Sequence, residues 1–514
     1  MPPDAPVTTA TLSPKRNDFK VKFASFSSGA GVNLPDRAAA RSGRGEVHTP
    51  GSPGLPGSVL HRDHRNGQNP ASRTQVLKSS SLTTVHRTAV KGISPMTRYR
   101  TVDHPVIGII AWDPERPAEW INDHIAMVHA TSNAYVITGD AGDVVVNTGT
   151  REQGARIREK FEALIGRPLD VRRLVFTQSH PDHTGGWQAF VAPGTQIHAQ
   201  RMFAQICAER RMLGGFFGPR NRNVLAAMTP PGTARAWFET PDPEPLTVFG
   251  DALEFDCSGR RYRLISMWSG ETIDSLAVWI PAERTVFTGN WAGAIQGALP
   301  NFYTPRGDRQ RSIPGWLGHC DALLAQEPDL LITGHEQPVV GAVRIRAQLG
   351  KVRAAIQSIH DQTVKGMNAG TPLHTIMAEL DLPGDLSPRD GRCPPDWIAR
   401  AVYEEYAGWF RQERTSELYA TPQTAIWAEL VEYAGGARAV AARARGHLAA
   451  GDAHKALHLI EMAVFTCPDD REVREVEVAV YERLADLTEG RIFDLLGWLE
   501  GRIMAARAAL DALP

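Results

Sequence analysis

The sequence predicts an α/β domain followed by an all-helical domain, and three patterns carry that expectation. Between about residue 104 and residue 345, short runs rich in Val, Ile and Thr alternate with helix-length amphipathic stretches. That is the order expected of sheets covered by helices. After about 345 the strand-like runs stop and helical periodicity continues alone. Residues 1–95 hold 12 Ser, 10 Pro and 9 Gly and show no sustained hydrophobic period. Such a segment buries too little apolar surface to offset its backbone entropy. The expected division is therefore a disordered basic extension over 1–95, an α/β unit over 96–345 and a helical unit over 346–514.

The elements follow in order. Ser132–Thr138 and Asp143–Thr148 read as two strands joined by the turn Gly139-Asp140-Ala141-Gly142. Arg151–Ile165 reads as an amphipathic helix, and Arg173–Thr177 as a short buried strand. Thr195–His198, Arg261–Ile265, Ala277–Ile280, Thr285–Thr288 and Leu330–Thr333 are further strands. The expected helices of the second unit are Val343–Met367, Pro372–Leu380, Trp397–Arg414, Thr421–Tyr433, Ala437–Ala450, Ala453–Thr466, Asp470–Leu487 and Arg491–Ala509. Gly435-Gly436 and Gly451-Asp452 supply helix breaks, and Pro468 closes a helix. The stretch from Ala437 to Leu487 reads as three antiparallel helices, a tetratricopeptide-like unit or a plain bundle.

Charge and cysteine content narrow the function classes. The 514 residues exceed what one compact core organises. The formal net charge of −1 conceals +8 in residues 1–95 and −9 in the remainder. A mildly acidic body does not suit nucleic acid as a partner. No run of about 18 apolar residues occurs, so no transmembrane helix is expected. The five cysteines are widely spaced, with no CxxC pair. They support neither a disulfide framework nor a zinc finger, and they suit a reducing, cytoplasmic setting.

The sharpest local feature is Gln178-Ser179-His180-Pro181-Asp182-His183-Thr184-Gly185-Gly186, directly after the Arg173–Thr177 strand. A strand end followed by a tight loop can converge several side chains on one point. Imidazoles and a carboxylate there are donors for a zinc-like cation.

This run resembles the HxHxDH signature of the metallo-β-lactamase fold. Asp143–Gly149 resembles that fold's early strand ending in Asp-Thr-Gly. Phe287-Thr288-Gly289-Asn290 resembles the strand that carries a metal-bridging acid, and Thr333-Gly334-His335 the late Gly-His. Ser269-Gly270-Glu271, Asn301–Gly307, His360–Thr363 and Arg400–Phe410, with Tyr433–Asp452, resemble the alkyl sulfatase group of this superfamily. The resemblance implies an αββα metallo-β-lactamase sandwich followed by an all-α, tetratricopeptide-like dimerisation domain, working as a homodimer. It implies a hydrolase in which metal-bound hydroxide attacks a small anionic sulfate ester. His180 and Glu271 would belong to one metal, and Asp182, His183 and His335 to the other. Asp182 and Arg306 would be catalytic. Asn301, Tyr303 and Arg306 would line the substrate, and Tyr406 or Tyr403 would reach over it from the helical domain. Arg306 suits sulfate because guanidinium offers a planar fork to an oxyanion.

Four positions depart from the family pattern. Gln178 stands where the first His ligand is expected, Asn290 where the bridging acid is expected and Asn147 where the early-strand Asp is expected. No His occurs between Trp268 and His319, the stretch expected to hold a proton donor for the leaving alcohol. Neutral amides leave Gln178 and Asn290 as weak ligands at most. The expectation is therefore one firmly held zinc, or another divalent metal, with a weak second. A missing proton donor points away from simple primary alkyl sulfates, because an alkoxide leaving group gains about 10²–10⁴-fold from general acid help. Two alternatives remain open: other chemistry on the same fold, such as a different ester hydrolysis or redox at iron, and a degenerate, non-catalytic dimeric scaffold.

Overall fold

Strands form where β-branched and aromatic residues run in short bursts between turns. The computed structural model describes residues 100–225, 242–243 and 246–514. The basic extension expected over 1–95 lies outside the described residues.

One sheet contains, in spatial order, β1 (Glu119–Trp120), β2 (Ile125–Val128), β3 (Ala134–Ile137), β4 (Asp143–Val146), β5 (Val171–Val175), β6 (Gln196–Gln200) and β7 (Leu246–Phe249). Pairing is antiparallel from β1 to β4 and parallel from β4 to β7. The second sheet is built from β8 (Ala252–Cys257), β9 (Arg260–Ser266), β10 (Leu276–Ile280), β11 (Thr285–Gly289), β12 (Leu330–Thr333) and β13 (Val339–Val340), which lie in reverse order across it. In that sheet β11 and β12 are the parallel pair.

Successive side chains of a strand point to opposite faces, and the central strands of both sheets are buried on both. Ile125, Met127, Tyr135, Ile137, Val144 and Val146 meet Leu264, Leu276, Val278, Phe287 and Ile332 in one layer between the sheets. Val128, Val136, Val145 and Leu174 face the other way, onto Ile157 and Phe161 of the helix Gly154–Ile165. Trp279, Val286 and Leu331 of the second sheet pack with Trp316 of the helix Ile313–Leu324 and Leu349 and Ile356 of the helix Ala342–Asn368. The result is the expected αββα sandwich. Each fully buried aliphatic in these layers stabilises the fold by about 1.5–3 kcal/mol.

The outer core of the second sheet continues into Ile398 and Val402 of the helix Pro395–Ala407. Beyond it, Ala437–Ala449, Ala453–Thr466, Arg471–Leu487 and Phe493–Asp511 enclose a separate core that includes Val440, Ile460, Val480, Leu496 and Ile503. Asp452 and Asp470 cap two of these helices by accepting from Lys455 N at 3.0 Å and Val473 N at 3.2 Å.

Two helices differ from expectation. The helix expected to run to Arg414 ends at Ala407, where Gly408 takes a φ of 70°. The helix expected over Thr421–Tyr433 starts as the 3₁₀ turn Gln423–Ile426 and becomes α-helical over Trp427–Tyr433. No helix among the described residues is long and apolar enough to cross a membrane. None of the five cysteines is in a disulfide.

One buried titratable group tests the sheet packing. His198 on β6 is 3% exposed, stacks on Phe255 of β8 at 5.1 Å, and has both ring nitrogens buried without a hydrogen-bond partner. Burial, assisted by the nearby Arg173, pushes its pKa down from 6.5 to about 4. Between pH 6.5 and 4 the unfolded chain therefore binds the proton and the folded chain does not. Stability should fall as pH drops through that window, by roughly 3 kcal/mol at most. In urea unfolding at pH 7 and pH 4.5, His198→Phe should lose less stability on acidification than the wild type. An equal loss in both would contradict this packing.

Candidate metal centre

The site is assembled from loops at the C-terminal ends of four strands. β4 leads into Asn147, β5 into Gln178–Thr184, β11 into Asn290 and β12 into Gly334-His335. β4 and β5 are parallel neighbours in one sheet, and β11 and β12 in the other, so all four loops emerge on one edge. Hydrogen bonds across the seam hold the two sheets together there. Tyr135 Oη donates to the Thr333 carbonyl at 2.6 Å, Asn133 N to the Gly334 carbonyl at 2.7 Å and Asn133 Nδ2 to the His335 carbonyl at 2.7 Å.

Close backbone contact explains the glycines. A Cβ on Gly186 would collide with the Thr148 carbonyl and Gly154, and one on Gly334 with Asn290 Oδ1 and the His183 ring. Pro181 opens the one-turn helix Pro181–Thr184. The carbonyl of His183 accepts from Thr148 N at 2.8 Å, which fixes that turn against the end of β4.

Asp182, His183 and His335 converge, with one ligand atom of each within 4.8 Å of the other two. Asp182 Oδ2 lies 3.6 Å from His183 Nε2 and 4.0 Å from His335 Nε2. Burial works against ionisation of Asp182, but the imidazoles of His183, His180 and His335 and the Ser132 hydroxyl outweigh it and hold the carboxyl well below the usual range. Burial lowers the pKa of His183 and takes His335 down to about 4, so both rings are neutral at physiological pH, as metal ligands must be.

One oxygen beside this triad, Asn290 Oδ1, is buried without a hydrogen-bond partner. Buried oxygens are rarely left unpaired in proteins, and a cation would satisfy this one. The donor set therefore fits one divalent cation.

The other half of the expected centre is differently occupied. Gln178 Nε2 lies 2.8 Å from His180 Nδ1, and Gln178 Oε1 accepts from Asn290 N at 3.3 Å. His180 Nε2 faces Asp308 Oδ2 at 3.7 Å. Glu271 pairs with Arg306 at 3.8 Å and Arg392 at 4.0 Å. Burial opposes its charge, yet His180, Arg392, Arg311 and Arg306 keep its carboxyl at about 2. So His180 and Glu271 lie in the same buried charge cluster, but their partners are protein groups.

Of the residues expected to line the substrate, Arg306 sits in that cluster. Asn301 Nδ2 donates to Asp494 Oδ2 at 3.2 Å, and Tyr303 Oη to Gln310 Oε1 at 3.1 Å. Tyr406 is 51% exposed and its hydroxyl lies 2.9 Å from His360 Nε2, so its hydrogen bond goes to the neighbouring helix and not to the site.

Several participants are absent from the sequence-based set. Ser132 Oγ donates to Asp182 Oδ2 and lies 2.9 Å from His183 Nε2 and 3.3 Å from His335 Nε2. Asp308 joins His180 to Arg210 at 3.4 Å and Arg311 at 3.5 Å. Asp494 holds Arg392 at 3.0 Å. Asp308 lies two residues from Arg306, a proximity that could have flagged it. A single serine ahead of a strand gives no such signal.

The geometry predicts about one equivalent of Co²⁺ bound per chain in a titration followed by absorbance. Asp182→Asn and His335→Ala should each abolish stoichiometric binding, while Glu271→Gln should leave it. Loss on Glu271→Gln with retention on His335→Ala would place the cation elsewhere.

Residues 129–335 match the metallo-beta-lactamase superfamily, and residues 376–492 match the alkyl sulfatase dimerisation family. The chain is 26% identical to a linear primary-alkylsulfatase of Pseudomonas sp. (strain ATCC 19151) over 68% of this chain and 69% of that one. It is 26% identical to the alkyl/aryl-sulfatase BDS1 of Saccharomyces cerevisiae over 74% of this chain and 63% of that one. Its fold is similar to that of the stereoselective inverting sec-alkylsulfatase Pisa1 from Pseudomonas sp., with a TM-score of 0.65 at 23% identity over 77% of this chain and 66% of the other. The chain thus spans about two thirds of the length of these relatives. It carries a metallo-beta-lactamase-type domain over residues 129–335, followed by an alkyl sulfatase dimerisation-type domain over residues 376–492.

Proposed function

We propose that this chain is a metal-dependent, alkyl sulfatase-like hydrolase that cleaves sulfate esters with a stable leaving group. The observation that carries the reading is the convergence of Asp182, His183 and His335 beside a buried guanidinium cluster. One divalent cation, zinc by the donor set, would be held by those three residues; when bound it supplies Lewis-acid polarisation and an activated water at neutral pH.

The chain's own residues have separate tasks. Arg306 would release Glu271 to pair with the sulfate oxygens, because a planar fork matches an oxyanion. Arg392, fixed by Asp494, would keep Glu271 charged and in place during that exchange. Asn301 and Tyr303 would shape the loop that presents Arg306. Tyr406 would act only if the helical domain moved.

The leaving group follows from proton availability. Asp182, Glu271 and Asp308 are all held ionised: burial alone would favour their protonated forms, but surrounding imidazoles and guanidinium groups prevail. His180 is kept neutral by burial and by Arg210. Burial pushes the Tyr303 hydroxyl up to about 12, but that proton is donated to Gln310. None of these groups is a ready general acid for an alkoxide, whereas a phenolate or enolate leaves without one.

Within this reading the chain divides into an extension over 1–95, a catalytic unit over 96–345 and a helical, tetratricopeptide-like unit over 346–514. The helices between 342 and 407 share a core with the second sheet, so the two units would be continuous. The dimerisation match supports a homodimer, and five cysteines outside any disulfide suit a reducing, cytoplasmic setting.

Sulfate release from purified, zinc-loaded protein tests the proposal. 4-Nitrophenyl sulfate should turn over at least about 10²-fold faster than dodecyl sulfate, and Arg306→Ala should abolish both. Equal rates would refute the leaving-group argument. No sulfate release from any ester would leave the fold to other chemistry or to a scaffold role.

A further inference from the structure

Asn147 ends β4 in the left-handed region, at φ 60°, and is 1% exposed. Its amide has two fixed neighbours. Oδ1 accepts from Thr177 N at 3.0 Å and from Thr177 Oγ1 at 3.1 Å. Nδ2 lies 3.0 Å from His183 Nδ1. A backbone N–H can only donate, so it fixes which end of the amide is the oxygen. Turning the amide over would leave the buried Thr177 N–H facing another donor. The end that meets His183 is therefore the NH₂, and His183 Nδ1 must accept.

A neutral imidazole that accepts at Nδ1 carries its proton on Nε2. His183 Nε2 is the atom that faces Asp182, His335 and Ser132. Its proton has an acceptor in Ser132 Oγ, 2.9 Å away, and Ser132 in turn donates to Asp182 Oδ2. The relay Asn147 to His183 to Ser132 to Asp182 thus runs in one direction, with each proton accounted for. It is self-satisfied, and it places an N–H where a metal ligand needs a lone pair.

We propose that Asn147 is a positioning residue that holds His183 in the tautomer unfit to bind a cation, and so weakens the metal centre. The proposal rests on Asp182, His183 and His335 being the cation ligands. Loading the site requires the His183 proton to move from Nε2 to Nδ1, against the Asn147 NH₂, or the amide to turn and abandon Thr177 N. A carboxylate at 147 would remove the conflict, because it accepts from both Thr177 N–H and His183 Nδ1–H. Partners that orient a ligand imidazole are worth about 10–100-fold in metal affinity.

The experiment has two arms on the full chain. First, ¹⁵N NMR of histidine-labelled, metal-free protein, with His183 assigned through His183→Gln, should show His183 protonated on Nε2 in the wild type and on Nδ1 in Asn147→Asp. Second, competition between protein and a chelator for Co²⁺ should give an affinity about 10–100-fold tighter in Asn147→Asp. Asn147→Ala, which removes the opposing donor without adding an acceptor, should fall between the two. An Nδ1-protonated His183 in the wild type overturns the proposal. So does wild-type Co²⁺ binding as tight as that of Asn147→Asp, or tighter than that of Asn147→Ala. If His183→Gln leaves Co²⁺ affinity unchanged, the ligand reading itself fails, and the tautomer arm still decides whether Asn147 sets the ring's proton.

Discussion

The hydrogen bonds that join the ends of β3 and β12 hold the rest of the site in place. Tyr135 Oη on the Thr333 carbonyl, with Asn133 on the Gly334 and His335 carbonyls, closes the seam at this edge of two sheets whose facing interior is apolar. Asp182 and His183 hang from one sheet and His335 from the other. Their approach within a few ångströms exists only while that seam is shut. Gly334 serves the same end, since any side chain there would push Asn290 and His183 away.

Much of this was legible in the sequence, for physical reasons. Strands buried on both faces, such as Val144–Val146 and Leu276–Ile280, are continuous apolar runs that turn residues delimit sharply. The helices after 437 have capping aspartates and glycine breaks that mark their ends. Five strands are absent from the expectation: β1 and β13 have two residues each, β7 and β8 hold one buried residue apiece, and β2, buried throughout, is a run of four residues too brief to stand out. Ser132 could not be singled out, because its place in the site is created by tertiary contact with residues 50 and 203 positions away. Tyr406 looked suited to the site by resemblance. The helix that carries it turns its hydroxyl to His360, a relation set by helix packing and not by local pattern.

The amides that replace the expected ligands do more than subtract charge. Gln178 and Asn147 each have an oxygen claimed by a backbone N–H and an NH₂ aimed at a histidine. A carboxylate in either place would accept protons from all its neighbours. An amide must donate to one of them, and so it dictates the protonation of the imidazole it touches. This accounts for how a centre can keep His180, Asp182, His183, Glu271 and His335 and still present one cluster that takes a cation weakly and one whose groups pair with protein.

That division is the central claim, and diffraction at a metal absorption edge tests it most directly. Crystals of the zinc-loaded protein should give one strong anomalous peak per chain, bounded by Asp182, His183 and His335, with Gln178, His180 and Glu271 still bonded to protein partners. Two peaks of equal height, one of them between His180 and Glu271, would contradict the account, as would a peak outside both clusters.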